Sequence, residues 1–151
     1  MIARAQRGKR RQEEKRRGAA LVEMAVCFPV LMLILLGIIE FGRAMSVNQM
    51  LNSAAREGCR TATLDGSTNS EVTSEIKQMV ANTTGCSQSN VTVQIAVTDN
   101  DTQQTLSDVS LADDRDLVEV DVSVPYSAVS FSLSSWLSGK TLRGACDMRH
   151  E

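Results

Sequence analysis

Apolar residues are concentrated in one stretch of this chain, residues 19–39, which reads AALVEMAVCFPVLMLILLGII. Glu23 is the only charged residue within it. Because a helix rises about 1.5 Å per residue, the stretch spans roughly 30 Å, the thickness of a bilayer's hydrocarbon core. The pattern predicts a single membrane-spanning helix, which we place at residues 19–41.

The helical pattern continues beyond the span, through residues 42–63. This segment contains no proline, and small or apolar residues recur every three or four positions, which places them on one face of a helix. We therefore expect one continuous helix whose outer half is amphipathic and needs a partner to cover its apolar stripe. That stripe consists of Ala44, Val47, Leu51, Ala54, Gly58 and Ala62.

The remaining residues, 64–151, predict a small head. A second helix is expected at Glu71–Asn82, capped by Ser70 and stopped by Gly85. Three runs alternate apolar and polar residues with a period of two, which is typical of strands with one buried face. Together they predict an α+β, pilin-like fold, in which a three-stranded antiparallel sheet packs on the outer half of the long helix. The predicted strands are Val91–Val97, Leu117–Val124 and Thr141–Met148.

Two long connections separate the predicted strands. The first, TDNDTQQTLSDVSLADDRD, is acidic but lacks the glycine and distal glutamate of an EF-hand loop, so we expect solvated carboxylates rather than a calcium site. The second is rich in serine and is expected to pack at the edge of the sheet. Its bulky residues are Tyr126, Phe131, Trp136 and Leu137.

Charge is distributed unevenly along the chain. Residues 1–18 hold eight Lys or Arg and two Glu, a net charge of +6, whereas residues 19–151 have a net charge of −8. A basic segment next to an apolar span is expected on the cytoplasmic side, where it meets the lipid headgroups, and this explains the basic run better than nucleic-acid binding does. The apolar core is too long for a secretory signal peptide, and no A-x-A cleavage site follows it.

The sequence contains no recognisable catalytic or metal-binding motif. His150 is the only histidine, and no G-x-S-x-G, HExxH, CxxC or phosphate-binding glycine loop occurs. We expect neither an enzyme nor a bound metal or cofactor.

Glu23 is the residue of the span that most needs an explanation. A carboxylate at the centre of a membrane helix costs about 2.5–3.5 kcal/mol, and less near the interface. Two alternatives follow from the residues alone. Glu23 either reaches the interface and pairs with Arg16 or Arg17, or it is neutralised by a partner in another subunit.

Several motifs around the span resemble a known family. RRGAALVEMAV, with Glu23 fifth after Gly18, resembles the prepilin peptidase site of type IV pilins. The longer run through GIIEFGRAM, with LNSAAREGCR and the terminal CDMRHE, resembles the TadE-like family of the Tad (tight adherence) pilus systems. The resemblance is strong over residues 16–60, weak in the middle of the chain and visible again at residues 146–151.

The resemblance implies a minor pseudopilin of a Tad-type (type IVb) pilus. Gly18 would be the last leader residue, and a prepilin peptidase would leave Ala19 as the new N-terminus. Glu23 would then pair with the Ala19 amine of a neighbouring pilin or pseudopilin and fix the register between helices. The resemblance also implies a bacterial inner membrane, a periplasmic head and contact with an inner-membrane pilus platform. The alternative is an unprocessed, single-pass anchored binding module.

Three of the four cysteines lie beyond the span. Cys59 is near the apolar stripe of the long helix, and Cys146 is on the predicted inward face of the last strand, whereas Cys86 sits in a polar turn. The alternatives are a Cys59–Cys146 bridge, worth about 4–5 kcal/mol in the chain-entropy model, and three reduced thiols.

Overall fold

The computed structural model describes residues 2–64, 66–130 and 139–150, with side chains from residue 18 onward. Two helices are present in this part of the chain: α1 at Ile2–Ala62 and α2 at Asn69–Thr84. Four strands follow: β1 at Thr92–Thr98, β2 at Thr105–Leu106, β3 at Leu117–Pro125 and β4 at Thr141–Arg149. Single 3₁₀ turns lie at Gln88–Asn90, Val109–Leu111 and Tyr126–Ala128.

The chain divides into two compact units, Met1–Ile39 and Glu40–Glu151. Within the described residues of the first unit, the backbone is helical and the apolar side chains are exposed, apart from the partly buried Met32. Gly18–Ala62 is the one segment of the described chain that is long and apolar enough to cross a membrane. This supports the predicted membrane anchor, whereas the domain limits at residues 18, 41 and 63 stay predictions.

Helix α1 begins earlier than the sequence pattern indicated. The apolar pattern placed its start at residue 19, but the backbone of the basic segment is already helical from Ile2. Its residues are mainly Ala, Arg, Lys, Gln and Glu, which all have high helix propensity, so a helix forms here without any apolar periodicity.

The predicted apolar stripe on the outer half of α1 is confirmed. All six of its residues are buried, together with Ala55 and Cys59 on the same side of the helix. They form one core with the inward-facing residues of α2 and the sheet, as the amphipathic pattern requires. The α2 residues in this core include Val72, Ile76 and Val80, and the β3 residues are Val118, Val120, Val122 and Val124.

The sheet is antiparallel throughout, with strand order β2-β1-β3-β4. The α+β class and the three predicted strands are confirmed, but the predicted count of three is wrong because β2 adds a fourth. Residues of β2 pair with Val97 and Thr98 of β1. Two residues are too short to show a period of two, so no pattern in the acidic connection indicated this strand.

Helix α2 is longer than predicted and is capped by a different residue. Its N-cap is Thr68, whose side chain accepts a hydrogen bond from the backbone N–H of Glu71 at 3.4 Å. Ser70, the predicted cap, lies inside the first turn. Gly85 ends the helix with φ at 76°, the left-handed conformation that was expected of it.

Two glycines allow elements of the head to approach closely. A Cβ on Gly144 of β4 would lie 2.5 Å from the backbone nitrogen of Asn52 and 2.6 Å from the carbonyl oxygen of Leu51. A Cβ on Gly58 would collide with the side chain of Ile76 on α2. The sheet and α2 therefore pack on α1 at a distance that only glycine permits at these positions.

Of the bulky residues in the second long connection, Tyr126 is buried in the head. The predicted packing of Phe131, Trp136 and Leu137 lies outside the described residues.

Candidate functional site

The apolar part of α1 presents its side chains outward. Within the first unit, the large apolar residues from Leu21 to Ile39 are at least 39% exposed, except Met32, which is partly buried. An apolar surface of this extent is not stable in water, so it requires lipid or other helices as its surroundings. The segment that contains Gly18, Ala19 and Glu23, the predicted processing and register residues, therefore needs lipid or another protein to cover its apolar surface.

Gly18 lies in the helix at the start of this apolar segment. A Cβ added to it would meet nothing within 4 Å, and its φ is not positive. Glycine in a helix interior is about 1 kcal/mol less favourable than alanine, so neither packing nor conformation within the described chain accounts for Gly18. This distinguishes it from Gly58 and Gly144, which are required by close packing.

The peptide bond between Gly18 and Ala19 lies within the continuous helix α1. A protease that reads an extended backbone must therefore open at least one helical turn before it can reach this bond. Glycine lowers the cost of that opening, because it is the poorest helix former after proline.

Glu23 is exposed on the same helix, slightly more than one turn after Ala19. Its carboxylate has no hydrogen bond or ion pair with any described residue of the chain. The side chains of Arg16 and Arg17, its candidate partners at the interface, lie outside the described side chains. A partner in another subunit therefore stays a prediction for Glu23, as does the interfacial pairing.

A polar cluster in the second unit joins α1 to the rest of the head. The Arg43 guanidinium donates to the carbonyl oxygen of Thr84, at the end of α2, at 2.9 Å, and to that of Val129 at 3.2 Å. The Tyr126 hydroxyl donates to the carbonyl oxygen of Glu40 at 3.3 Å. Sequence reasoning missed this cluster because it joins residues up to 86 positions apart.

Glu40 is the buried acid of this cluster. Its side chain is only 4% exposed, and its Oε1 atom has no hydrogen-bond partner among the described residues. Burial, with Glu40 as a second cause, raises the pKa of the Tyr126 hydroxyl to about 12. The neighbouring carboxylate acts in this direction because it disfavours a second negative charge on the phenol oxygen.

The raised pKa of Tyr126 gives a pH dependence that is simple to measure, because this is the only tyrosine of the chain. The folded protein holds its phenol proton above pH 10, where the unfolded chain releases it. We expect the stability that this group contributes to be complete below pH 10 and to be lost as the pH rises towards 12. Ultraviolet absorbance of tyrosinate checks this, and a folded-state midpoint near pH 10 would contradict it.

Cys59 and Cys146, the predicted bridging pair, are neighbours in the head. All four cysteines of the chain are free thiols in the structure. The Cys59 thiol donates to the carbonyl oxygen of Cys146 at 3.1 Å. Burial is the main cause that raises the pKa of Cys59 to about 12, and the Cys146 thiol adds to it. The bridge itself stays a prediction.

The acidic connection uses its carboxylates to hold its own backbone. The Asp99 carboxylate accepts hydrogen bonds from the backbone N–H groups of Thr102 and Asp101, both at 2.8 Å. These bonds, of which the one from Thr102 has the larger effect, lower the pKa of the Asp99 carboxyl. The buried Asp116 accepts the N–H groups of Asn100 and Asp113 at 3.0 and 2.9 Å. Within the described residues, no three acidic, cysteine or histidine side chains are placed to hold a metal ion.

Comparison with known protein families gives a match over part of α1. A family model with the description "TadE-like protein" matches residues 18–60. This segment begins at Gly18 and includes Glu23 and Cys59. The match confirms the resemblance found in the sequence over this part of α1. No curated protein and no solved structure matches the chain.

Proposed function

Because residues 18–60 are TadE-like in sequence, we propose that this chain is a minor pseudopilin that helps to assemble a Tad-type (type IVb) pilus. One observation carries the proposal. The matched segment begins at a glycine that the described chain does not need for packing, and five residues later an acid without a partner among the described residues follows on a largely exposed apolar helix.

The first proposed step is removal of the leader. A prepilin peptidase cuts after Gly18. Because glycine has no side chain, the peptidase can approach the backbone at this position without obstruction. Cleavage removes a segment with a net charge of +6 and exposes the α-amine of Ala19, a group with a reference pKa of about 7.7–8.0. The mature N-terminus is therefore substantially protonated near neutral pH.

The second proposed step is helix–helix assembly. The protonated Ala19 amine of one subunit pairs with the Glu23 carboxylate of its neighbour, so each charge offsets the desolvation of the other. Because the pair forms at one axial offset only, it sets the register between packed helices. The exposed apolar side chains of the span supply the remaining contact surface with lipid or neighbouring helices.

The proposed topology follows from charge. The basic leader stays in the cytoplasm, the span crosses the bacterial inner membrane once, and the head lies in the periplasm. The proposed partners are the prepilin peptidase, other pilin or pseudopilin subunits and the inner-membrane pilus platform. We propose no catalytic activity for the chain and no bound cofactor.

A second function is favoured by one specific observation. Helix α1 runs without interruption from Ile2 through the bond after Gly18, so the leader forms one helix with the span. An anchored extracytoplasmic binding module that is never processed would keep this helix intact. The state of the N-terminus separates the two proposals.

Substitution of Glu23 by glutamine tests the assembly step. We expect Glu23→Gln to remain in the membrane fraction but to lose cross-links to neighbouring subunits by about tenfold or more, since a charge pair within the membrane offsets a cost of about 2.5–3.5 kcal/mol. Site-directed cross-linking along the span, followed by gel analysis, measures this effect.

The matched control for Glu23 is Glu57→Gln, which removes a carboxylate from the same helix outside the span. It should cross-link as the unsubstituted protein does. Equal cross-linking of Glu23→Gln and Glu57→Gln would exclude the pair between Ala19 and Glu23, but it would not contradict membrane anchoring.

A further inference from the structure

The contact between α1 and the edge strand β4 places two thiols together. Cys59 is fully buried on α1, and its sulfur lies 3.1 Å from the carbonyl oxygen of Cys146 and 3.9 Å from that of Val118. Cys146 lies in the middle of β4, opposite Val120 of β3, and is partly exposed. Its side chain packs against the same core that contains Cys59.

The other cysteines are engaged elsewhere. Cys86 lies just after α2, and its sulfur accepts a hydrogen bond from the Thr84 hydroxyl at 3.1 Å. Within the described residues, no hydrogen bond joins Cys86 to another cysteine. Cys27 belongs to the apolar span and is exposed there. The head therefore offers one pair of adjacent thiols and leaves Cys86 over.

We infer that Cys59 and Cys146 are joined by a disulfide in the mature protein, which fixes the edge strand β4 to helix α1. The inference rests on the proposed topology, which places the head in an oxidising compartment outside the cytoplasm. The oxidant is a protein or small-molecule disulfide, the chemical class that exchanges with thiols.

The reaction proceeds in two exchanges. The partly exposed Cys146 loses its proton and attacks the oxidant disulfide, which forms a mixed disulfide and releases one thiolate. Cys59 then loses its proton and attacks the Cys146 sulfur, which forms the bridge and releases the second thiolate. Two electrons pass to the oxidant, and the two protons leave to solvent.

The different burial of the two thiols sets the order of these exchanges. Of these two thiols, only Cys146 is accessible to an external oxidant in the folded head. Cys59 is fully buried, so it reacts with the sulfur of Cys146 rather than with the oxidant. Burial also holds Cys59 in its protonated form, with its pKa raised to about 12, so the second exchange is the slow one.

The bridge has a structural consequence for β4. This strand is the last of the sheet and pairs with β3 on one side only. On the side of α1, β4 is positioned by non-covalent contacts, among them the close approach of Gly144 to Leu51 and the hydrogen bond from Cys59 to the Cys146 carbonyl. A disulfide at Cys146 adds a covalent link between β4 and α1 two residues from Gly144.

Peptide mapping of the full-length protein tests the inference. The protein is purified from membranes in an alkylating agent and digested with trypsin without reduction. Trypsin releases Cys59 in EGCR and Cys146 in GACDMR, and it leaves Cys86 in a separate peptide that starts after Lys77. We expect the linked species EGCR–GACDMR, which disappears on reduction, and an alkylated Cys86.

The control variants give distinct outcomes. Cys86→Ser should retain the linked species, whereas Cys59→Ser and Cys146→Ser should each lose it. Alkylation of Cys59 and Cys146 in the membrane-derived protein, or a bridge that includes Cys86, would overturn the inference.

A second arm separates this inference from the proposed function. Reduced, purified protein is exposed to glutathione disulfide, and timed alkylation follows the loss of each thiol. We expect Cys146 to form the mixed disulfide before Cys59 reacts, and a reversed order would overturn the proposed mechanism. The N-terminal peptide of the same digest reports leader removal, so failure of processing and failure of the bridge are read from different peptides.

Discussion

Replacement of Gly144 by alanine is expected to lower the free energy of unfolding of the head by about 2–3 kcal/mol. The added Cβ would meet the backbone of Leu51 and Asn52, and one of these contacts is at 2.5 Å. Backbone atoms of a helix cannot rotate away as a side chain can, so α1 and β4 must separate. Chemical denaturation, followed by circular dichroism, measures the loss.

The neighbouring position on β4 provides the control. Ala145 is on the exposed face of the same strand, so Ala145→Val should change the free energy of unfolding by no more than about 0.5 kcal/mol. If Gly144→Ala and Ala145→Val are equally stable, the close approach of the strand to α1 is wrong.

Replacement of Gly18 by valine is expected to slow leader removal by about a hundredfold, a loss typical of a displaced substrate backbone. The substitution costs the described chain no packing, because a Cβ at this position meets nothing within 4 Å. The effect would therefore arise in the complex with the peptidase, where a β-branched side chain obstructs access to the bond before Ala19. Immunoblots that resolve precursor and mature forms over time measure the rate.

Gly42 offers a matched control on the same helix. It is also exposed, and a Cβ on it would also meet nothing within 4 Å. Gly42→Val should be processed at the rate of the unsubstituted protein. If both variants are processed normally, Gly18 is not the recognised residue.

The parts of the fold that were predicted correctly depend on local periodicity. The stripe from Ala44 to Ala62 and the alternation in β3 each show which face is buried, because the side-chain period of a helix or strand is fixed by its geometry. Gly85 was predicted for a similar reason, since a helix that ends in the left-handed conformation favours glycine.

The features that were missed depend on short elements or on distant partners. The N-cap Thr68 had a readable signal in the spacing Thr68-x-x-Glu71, which is the capping-box pattern. Strand β2 is too short for any pattern, and the contacts of Arg43 and Tyr126 join residues far apart in sequence. No local rule relates such positions before the chain has folded.

The candidate site was found from residue type and spacing rather than from the fold. Glu23 was singled out because a charge is costly in an apolar span, and Gly18 because it precedes Glu23 by five residues in a motif that resembles the prepilin peptidase site. The structure adds that neither has a structural partner among the described residues. What they contact in a cell depends on other molecules, which no sequence pattern within this chain specifies.

The N-terminal residue of the protein isolated from its own membranes shows whether the leader is removed, on which the proposed pseudopilin function depends. Intact-mass spectrometry, with sequencing of the N-terminal peptide, identifies it without any substitution. We expect a chain that begins at Ala19 and lacks the basic leader. A chain that retains the segment from Ile2 to Gly18 would contradict it and would favour the unprocessed anchored module.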